Sequence, residues 1–101
     1  MLYISGLMTG CPDLNRMAFN KAAKLLRAKK YKVINPPELD RNNPQRSWEG
    51  CLRRDIVELM KCDRIATLPN WTKSKGANLE VYIGKALKYK VHPVSYFLKR
   101  R

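Results

Sequence analysis

Short apolar runs alternate with longer amphipathic stretches along the whole of this chain, and that alternation limits the fold more than any other feature. Leu2-Tyr3-Ile4-Ser5, Tyr31 to Ile34, Asp63 to Leu68 and Val91 to Phe97 are rich in β-branched and aromatic residues and read as strands. Between the first two, Leu14 to about Lys29 carries Phe19, Ala22, Ala23 and Leu26 at helical spacing, with lysines and arginines on the opposite face. Asp13 is the expected cap of this helix. Trp48, Leu52, Ile56 and Leu59 step along one side of a second helix, capped by Ser47 and running to about Lys61. A third opens at Ser74-Lys75-Gly76 and runs to about Leu87. Strands that alternate with helices form a parallel sheet covered on both faces, reached by right-handed crossovers. The predicted fold is α/β: a small Rossmann-like or flavodoxin-like three-layer domain with a parallel sheet of four to five strands. A length of 101 residues leaves room for one core, so a single domain over 1–101 is expected.

Binding sites in such sheets gather where loops leave the carboxyl ends of the strands. Here those loops are Gly6 to Pro12, Pro36 to Arg46 and Pro69 to Lys73, with Glu38 to Arg46 expected as a polar loop. No apolar run approaches the roughly 20 residues of a membrane span, and the start lacks the basic region of a signal peptide. A cytoplasmic protein without a membrane partner is expected. Cys11, Cys51 and Cys62 have neither a CxxC nor a metal-ligand spacing, which predicts reduced thiols and no metal site. The one histidine, His92, sits in a short apolar run beside Pro93 and reads as structural. Lysine and arginine outnumber aspartate and glutamate 21 to 8, for a net charge of +13. Such a field suits phosphorylated small molecules and polyanions alike.

Two carboxylates stand where solubility does not need them. Asp55 lies between Leu52 and Leu59, within the apolar stripe of the second helix, and Glu80 shares a face of the third with Gly76, Ile83, Gly84 and Leu87. An acid so placed must be paired, hydrogen-bonded or functional. The two could meet at the strand ends as a catalytic pair, or each could serve an arginine structurally. Asp63, at the start of the third strand, reads as structural. Ser74 can cap its helix or hold a phosphate at the helix N-terminus. The loop from Gly6 through Met8 and Thr9 to Gly10 could cradle a phosphate or sugar, although it is neither a Walker A loop nor a GxGxxG fingerprint.

A resemblance sharpens these alternatives. Tyr3-Ile4-Ser5-Gly6, Met8-Thr9-Gly10, Pro12, Asn15, Ala18-Phe19, Val33-Ile34-Asn35-Pro36, Cys51-Leu52-Arg53-Arg54-Asp55-Ile56, Cys62-Asp63, Leu68-Pro69-Asn70-Trp71 and Ser74-Lys75-Gly76-Ala77 followed by Glu80 resemble the DUF4406 family. That family, common in phages and prophages, is similar to nucleoside 2-deoxyribosyltransferases and to deoxynucleoside 5′-monophosphate N-glycosidases. The resemblance implies that Glu80 attacks the sugar C1′, that Asp55 assists at the base or the nucleophile, that Tyr3 borders the nucleophile, and that Ser74 contacts a 5′-phosphate. Thr9 stands where the hydrolases carry an arginine, and Ser74 where the transferases carry an acid.

The expected activity is hydrolysis or transfer at the N-glycosidic bond of a (deoxy)nucleoside or its 5′-monophosphate, without cofactor or metal. Glu80, Asp55 and Tyr3 would be catalytic, and Gly6, Met8, Thr9, Gly10, Ser74, Gly76 and Trp71 would contact substrate. Trp48 and Trp71 read equally as stacking platforms and as core or interface residues. A non-catalytic nucleotide-binding protein is the first alternative. A basic nucleic-acid-binding accessory protein, using Tyr31, Tyr82, Tyr89 and Tyr96 among lysines, is a less favoured one because the charge is spread over three helices. A chain this short is also expected to form a homodimer or higher homo-oligomer.

Overall fold

In the computed structural model, which describes residues 1–8, 15–40 and 47–99, the sheet is built around its first strand. Strand β1 (Leu2–Ser5) lies between β2 (Val33–Ile34) and β3 (Arg64–Thr67), and β4 (Lys90–Pro93) completes the order β2-β1-β3-β4. All pairings are parallel: Tyr3 stands beside Ile34 on one side and Ile65 on the other, and Ala66 stands beside His92. The helices are α1 (Arg16–Ala28), α2 (Trp48–Leu59), α3 (Lys75–Ala86) and α4 (Val94–Lys99). The order reverses between β1 and β3, which is where doubly wound sheets leave a crevice.

Side chains alternate across β1, and the two faces receive different helices. Leu2 and Ile4 join Ala66 against Phe19, Ala22, Ala23 and Leu26 of α1 and Phe97 of α4. Tyr3 and Ile65 turn the other way, toward Leu59 of α2 and Val81 of α3. The chain therefore forms three layers, as the alternation of runs predicts. Gly84 brings α3 close to the sheet: a Cβ there would lie 2.5 Å from Ile65 Cδ1.

Helix starts follow the sequence at two of three places. Ser47 Oγ accepts from the Gly50 N–H, and Ser74 Oγ from the Ala77 N–H, each at 3.1 Å. Asp13 lies outside the described residues, and α1 is first seen at Arg16. Before it, Asn15 adopts a left-handed backbone with φ 62° and donates from Nδ2 to the Leu7 carbonyl at 2.9 Å, which ties the helix start to the loop after β1. Asp63 lies outside the cleft lining, and its Oδ1 accepts from the amine of Met1 at 2.9 Å.

Three expectations need correction. The run Val91 to Phe97 is not one strand, because β4 ends at Pro93, which has no N–H to continue the ladder, and Val94–Lys99 turns into α4. Phe97 thereby swings into the core, edge-on to Tyr31 at 5.8 Å between ring centres. The second strand begins at Val33, not Tyr31, since Lys30 turns the chain with φ 75°. Finally, Pro36–Asp40 is a short 3-10 turn and not open loop, stabilised by the Glu38 carboxylate, which takes two hydrogen bonds from Arg27 at 2.8 and 2.9 Å and one from buried Asn35 at 3.0 Å. Residues 41–46 of the expected loop lie outside the described residues. No described helix is long and apolar enough to cross a membrane.

Gly84→Ala tests the close approach of α3. The gain in helix propensity is about 1 kcal/mol, and overpacking against Ile65 costs about 1–3 kcal/mol. We expect a net loss of stability in urea unfolding. A more stable variant would show that α3 sits farther from β3.

Candidate functional site

The site is assembled by the period of one strand and the register of one helix. Tyr3 and Ser5 are two residues apart on β1, so both side chains project toward α2 and α3. Glu80 lies on the buried side of α3 with Ala77, Val81 and Gly84, and meets both hydroxyls there. Tyr3 donates to Glu80 Oε2 and Ser5 to Oε1, each at 2.7 Å. The carboxylate is only 6% exposed. From α2, Asp55 approaches the same place, its Oδ1 held by Arg54 Nη2 at 2.7 Å and Nε at 3.1 Å.

These five groups share one electrostatic problem. The Glu80 carboxyl is raised from 4.5 to about 7: burial raises it most, the hydrogen bonds from Tyr3 and Ser5 lower it, the negative charge of Asp55 raises it and Arg54 lowers it. Tyr3 is raised well above its ordinary value, first by burial and then by the charges of Glu80 and Asp55. Its hydroxyl therefore stays protonated and keeps donating at neutral pH. The arrangement holds an acid near its midpoint at physiological pH, with both oxygens oriented.

Tyr3, Gly6, Met8, Asp55, Ser74, Gly76 and Glu80 line a single cleft over the carboxyl ends of the strands. Its walls are largely apolar, from Met8, Phe19, Pro36, Leu52 and Ala77, with Trp48 at the N-terminus of α2. Thr9 and Gly10 lie outside the described residues. Trp71 does not line this cleft; it lies in a separate groove with Leu25, Leu68 and Val94. His92 stacks on Tyr96 at 3.8 Å and is also absent from the cleft lining. Gly6 has a packing reason for being glycine, since a Cβ would fall 2.8–2.9 Å from Leu68 side-chain atoms. Among the described residues, no group of three His, Cys, Asp or Glu side chains could hold a metal ion.

Ser5 and Arg54 were not singled out from the sequence as site residues, though both fall inside the motifs quoted above. Ser5 had a signal in its two-residue offset from Tyr3. Arg54 had none, because an arginine beside an aspartate on a helix of mixed charge reads as solvated charge.

A family model described as a domain of unknown function, DUF4406, matches residues 1–93. The chain belongs to the DUF4406 family. No curated protein and no solved structure matches it. The DUF4406 match spans all four strands and every described residue of the cleft; α4 lies beyond it.

Glu80 makes stability depend on pH with a definite sign. Its folded value is raised, so the folded protein holds a proton that the unfolded chain releases, and stability falls as pH rises from about 4.5 to about 7. The loss is on the order of 3 kcal/mol. Glu80→Gln is expected to be more stable than the parent at pH 8 and to lose that advantage at pH 4, as measured by chemical unfolding. Equal curves for the two proteins would show that Glu80 is not buried in this way.

Proposed function

We propose that the cleft binds a nucleoside or nucleoside 5′-monophosphate and that Glu80 attacks C1′ of its sugar, breaking the N-glycosidic bond. The observation that supports this reading most is the seat of Glu80: a buried carboxylate beneath an apolar cleft, each oxygen oriented by a hydroxyl donor. Buried acids without a task are normally paired with a base, whereas Glu80 is paired with two neutral donors.

In the first step an ionised Glu80 oxygen bonds to C1′ while the base departs with the electrons of the C–N bond. In the second, water or a second base attacks C1′ and releases the carboxylate, giving hydrolysis or transfer. Tyr3 and Ser5 hold the nucleophile in line and keep part of it ionised near pH 7. The charge of Asp55 opposes ionisation of Glu80, and in this reading the two acids take different parts, Asp55 assisting departure of the base. The apolar walls would receive the base and the sugar face, and the net charge of +13 would draw an anionic substrate toward the protein.

The test is chromatographic detection of free base from a panel of nucleosides and their 5′-monophosphates. Release by the parent is expected, reduced at least about 10³-fold in Glu80→Ala. The rate should rise with pH through about 7, as Glu80 ionises, and Tyr3→Phe should move that rise to higher pH. Binding without release from any member of the panel would replace this reading with that of a non-catalytic nucleotide-binding protein.

Self-association is part of the same proposal. Val57 and Met60 of the α2 region and Leu79 and Tyr82 of α3 leave apolar side chains in solvent, Tyr82 at 73% exposure. Light scattering coupled to size exclusion should give a mass of twice 11.8 kDa or more. A strict monomer at micromolar concentration would remove this part.

A further inference from the structure

Among the described residues, two cations lie over aromatic rings, at opposite ends of the sheet. Arg64, at the start of β3, sits 5.3 Å from the centre of the Tyr31 ring and also contacts Asp63. Lys75, the first residue of α3, places its ammonium 5.0 Å from the centre of the Trp48 ring, and Trp48 is part of the cleft lining. Among the described residues Lys75 makes no ion pair, whereas Arg27, Arg54 and Lys61 each meet a carboxylate. An ammonium without a carboxylate partner thus stands against a ring of the cleft lining, between Ser74 and Gly76 of that lining, in a contact worth about 0.5–1 kcal/mol.

Other groups beside it favour an anion. Ser74 Oγ accepts from the Ala77 N–H, and its own hydroxyl proton has no acceptor among the described residues, so it can donate outward. The N-terminus of α3 adds the positive end of its dipole. A would-be Cβ on Gly76 lies 4.0 Å from Trp48 Cζ2 and Nε1, which places the indole directly against the same helix start.

We infer that Lys75 is the specificity-determining residue of the cleft: it leaves the Trp48 ring for the phosphate of a nucleoside 5′-monophosphate, and so separates nucleotides from the matching nucleosides. This rests on the nucleotide-binding reading of the same cleft, though not on turnover. The exchange replaces a cation–ring contact with a charge-assisted hydrogen bond to a phosphate oxygen, and it bares the indole face for the base. A nucleoside offers only neutral acceptors, which compete less well than a phosphate for the Lys75 ammonium.

Calorimetric titration of Glu80→Gln protein, in which turnover is blocked, tests this with a panel of nucleosides and 5′-monophosphates at fixed ionic strength. Adding Lys75→Met should weaken monophosphate binding roughly tenfold and leave the nucleoside within about twofold. Lys85→Met, which removes the same charge near the other end of α3, controls for the general field and should spare both ligands. An unchanged ratio of nucleotide to nucleoside affinity in Lys75→Met, or an equal effect of Lys85→Met, would overturn the inference while leaving the cleft a nucleotide site. Binding of neither ligand class would remove the underlying reading and this inference together.

Discussion

A strand in the middle of a parallel sheet has no face toward water, and in this protein every residue of β1 is buried. Leu2 and Ile4 satisfy that condition by packing on α1. Tyr3 and Ser5 bring hydroxyls into the opposite layer, where each needs a hydrogen-bond partner. Glu80 supplies an oxygen to each, and the two 2.7 Å bonds join β1 to α3 across the crevice between β1 and β3. The position of α3, the depth of the cleft and the electrostatics of its floor all follow from that meeting of one acid with two hydroxyls.

The arrangement works against the stability of the domain. A leucine or methionine at position 80 would fill the same layer without desolvating a charge, provided that the hydroxyls were also replaced. The chain instead keeps a carboxyl whose ionisation is opposed by burial and by Asp55, and assisted by Tyr3, Ser5 and Arg54. Strain of this kind, concentrated beneath a cleft while the opposite face of the sheet is plain apolar packing, separates the molecule into a supporting half and a working half. Arg54 and Asp55 adjoin in sequence, so α2 delivers both a charge and its counter-charge to the working half in one turn.

The alternation of strands and helices was readable because it depends on local periodicity, and the inward positions of Asp55 and Glu80 were readable for the same reason. The function expected from the resemblance stays a proposal, while the burial of both acids follows from spacing alone. What could not be read was set by contacts between distant residues. Val91 to Phe97 has strand composition throughout, and only Pro93 together with the space beside Tyr31 makes its second half a helix. Trp48 opens α2 and Trp71 opens the short 3-10 turn after β3, yet one lines the cleft and the other a groove elsewhere, a difference set by how the elements pack. The 3-10 turn at Pro36–Asp40 depends on Arg27 reaching Glu38 from another helix.

The edges of the sheet complete the picture. β2 contributes two residues, too few to template a neighbouring strand, and β4 opens with an exposed lysine and closes with proline. Open sheets invite strand addition from other chains, and short edges, lysine and proline are the usual defences. A small domain that exposes two sheet margins is in this way guarded against cross-β aggregation, which leaves its helical surfaces as the places where another molecule can settle.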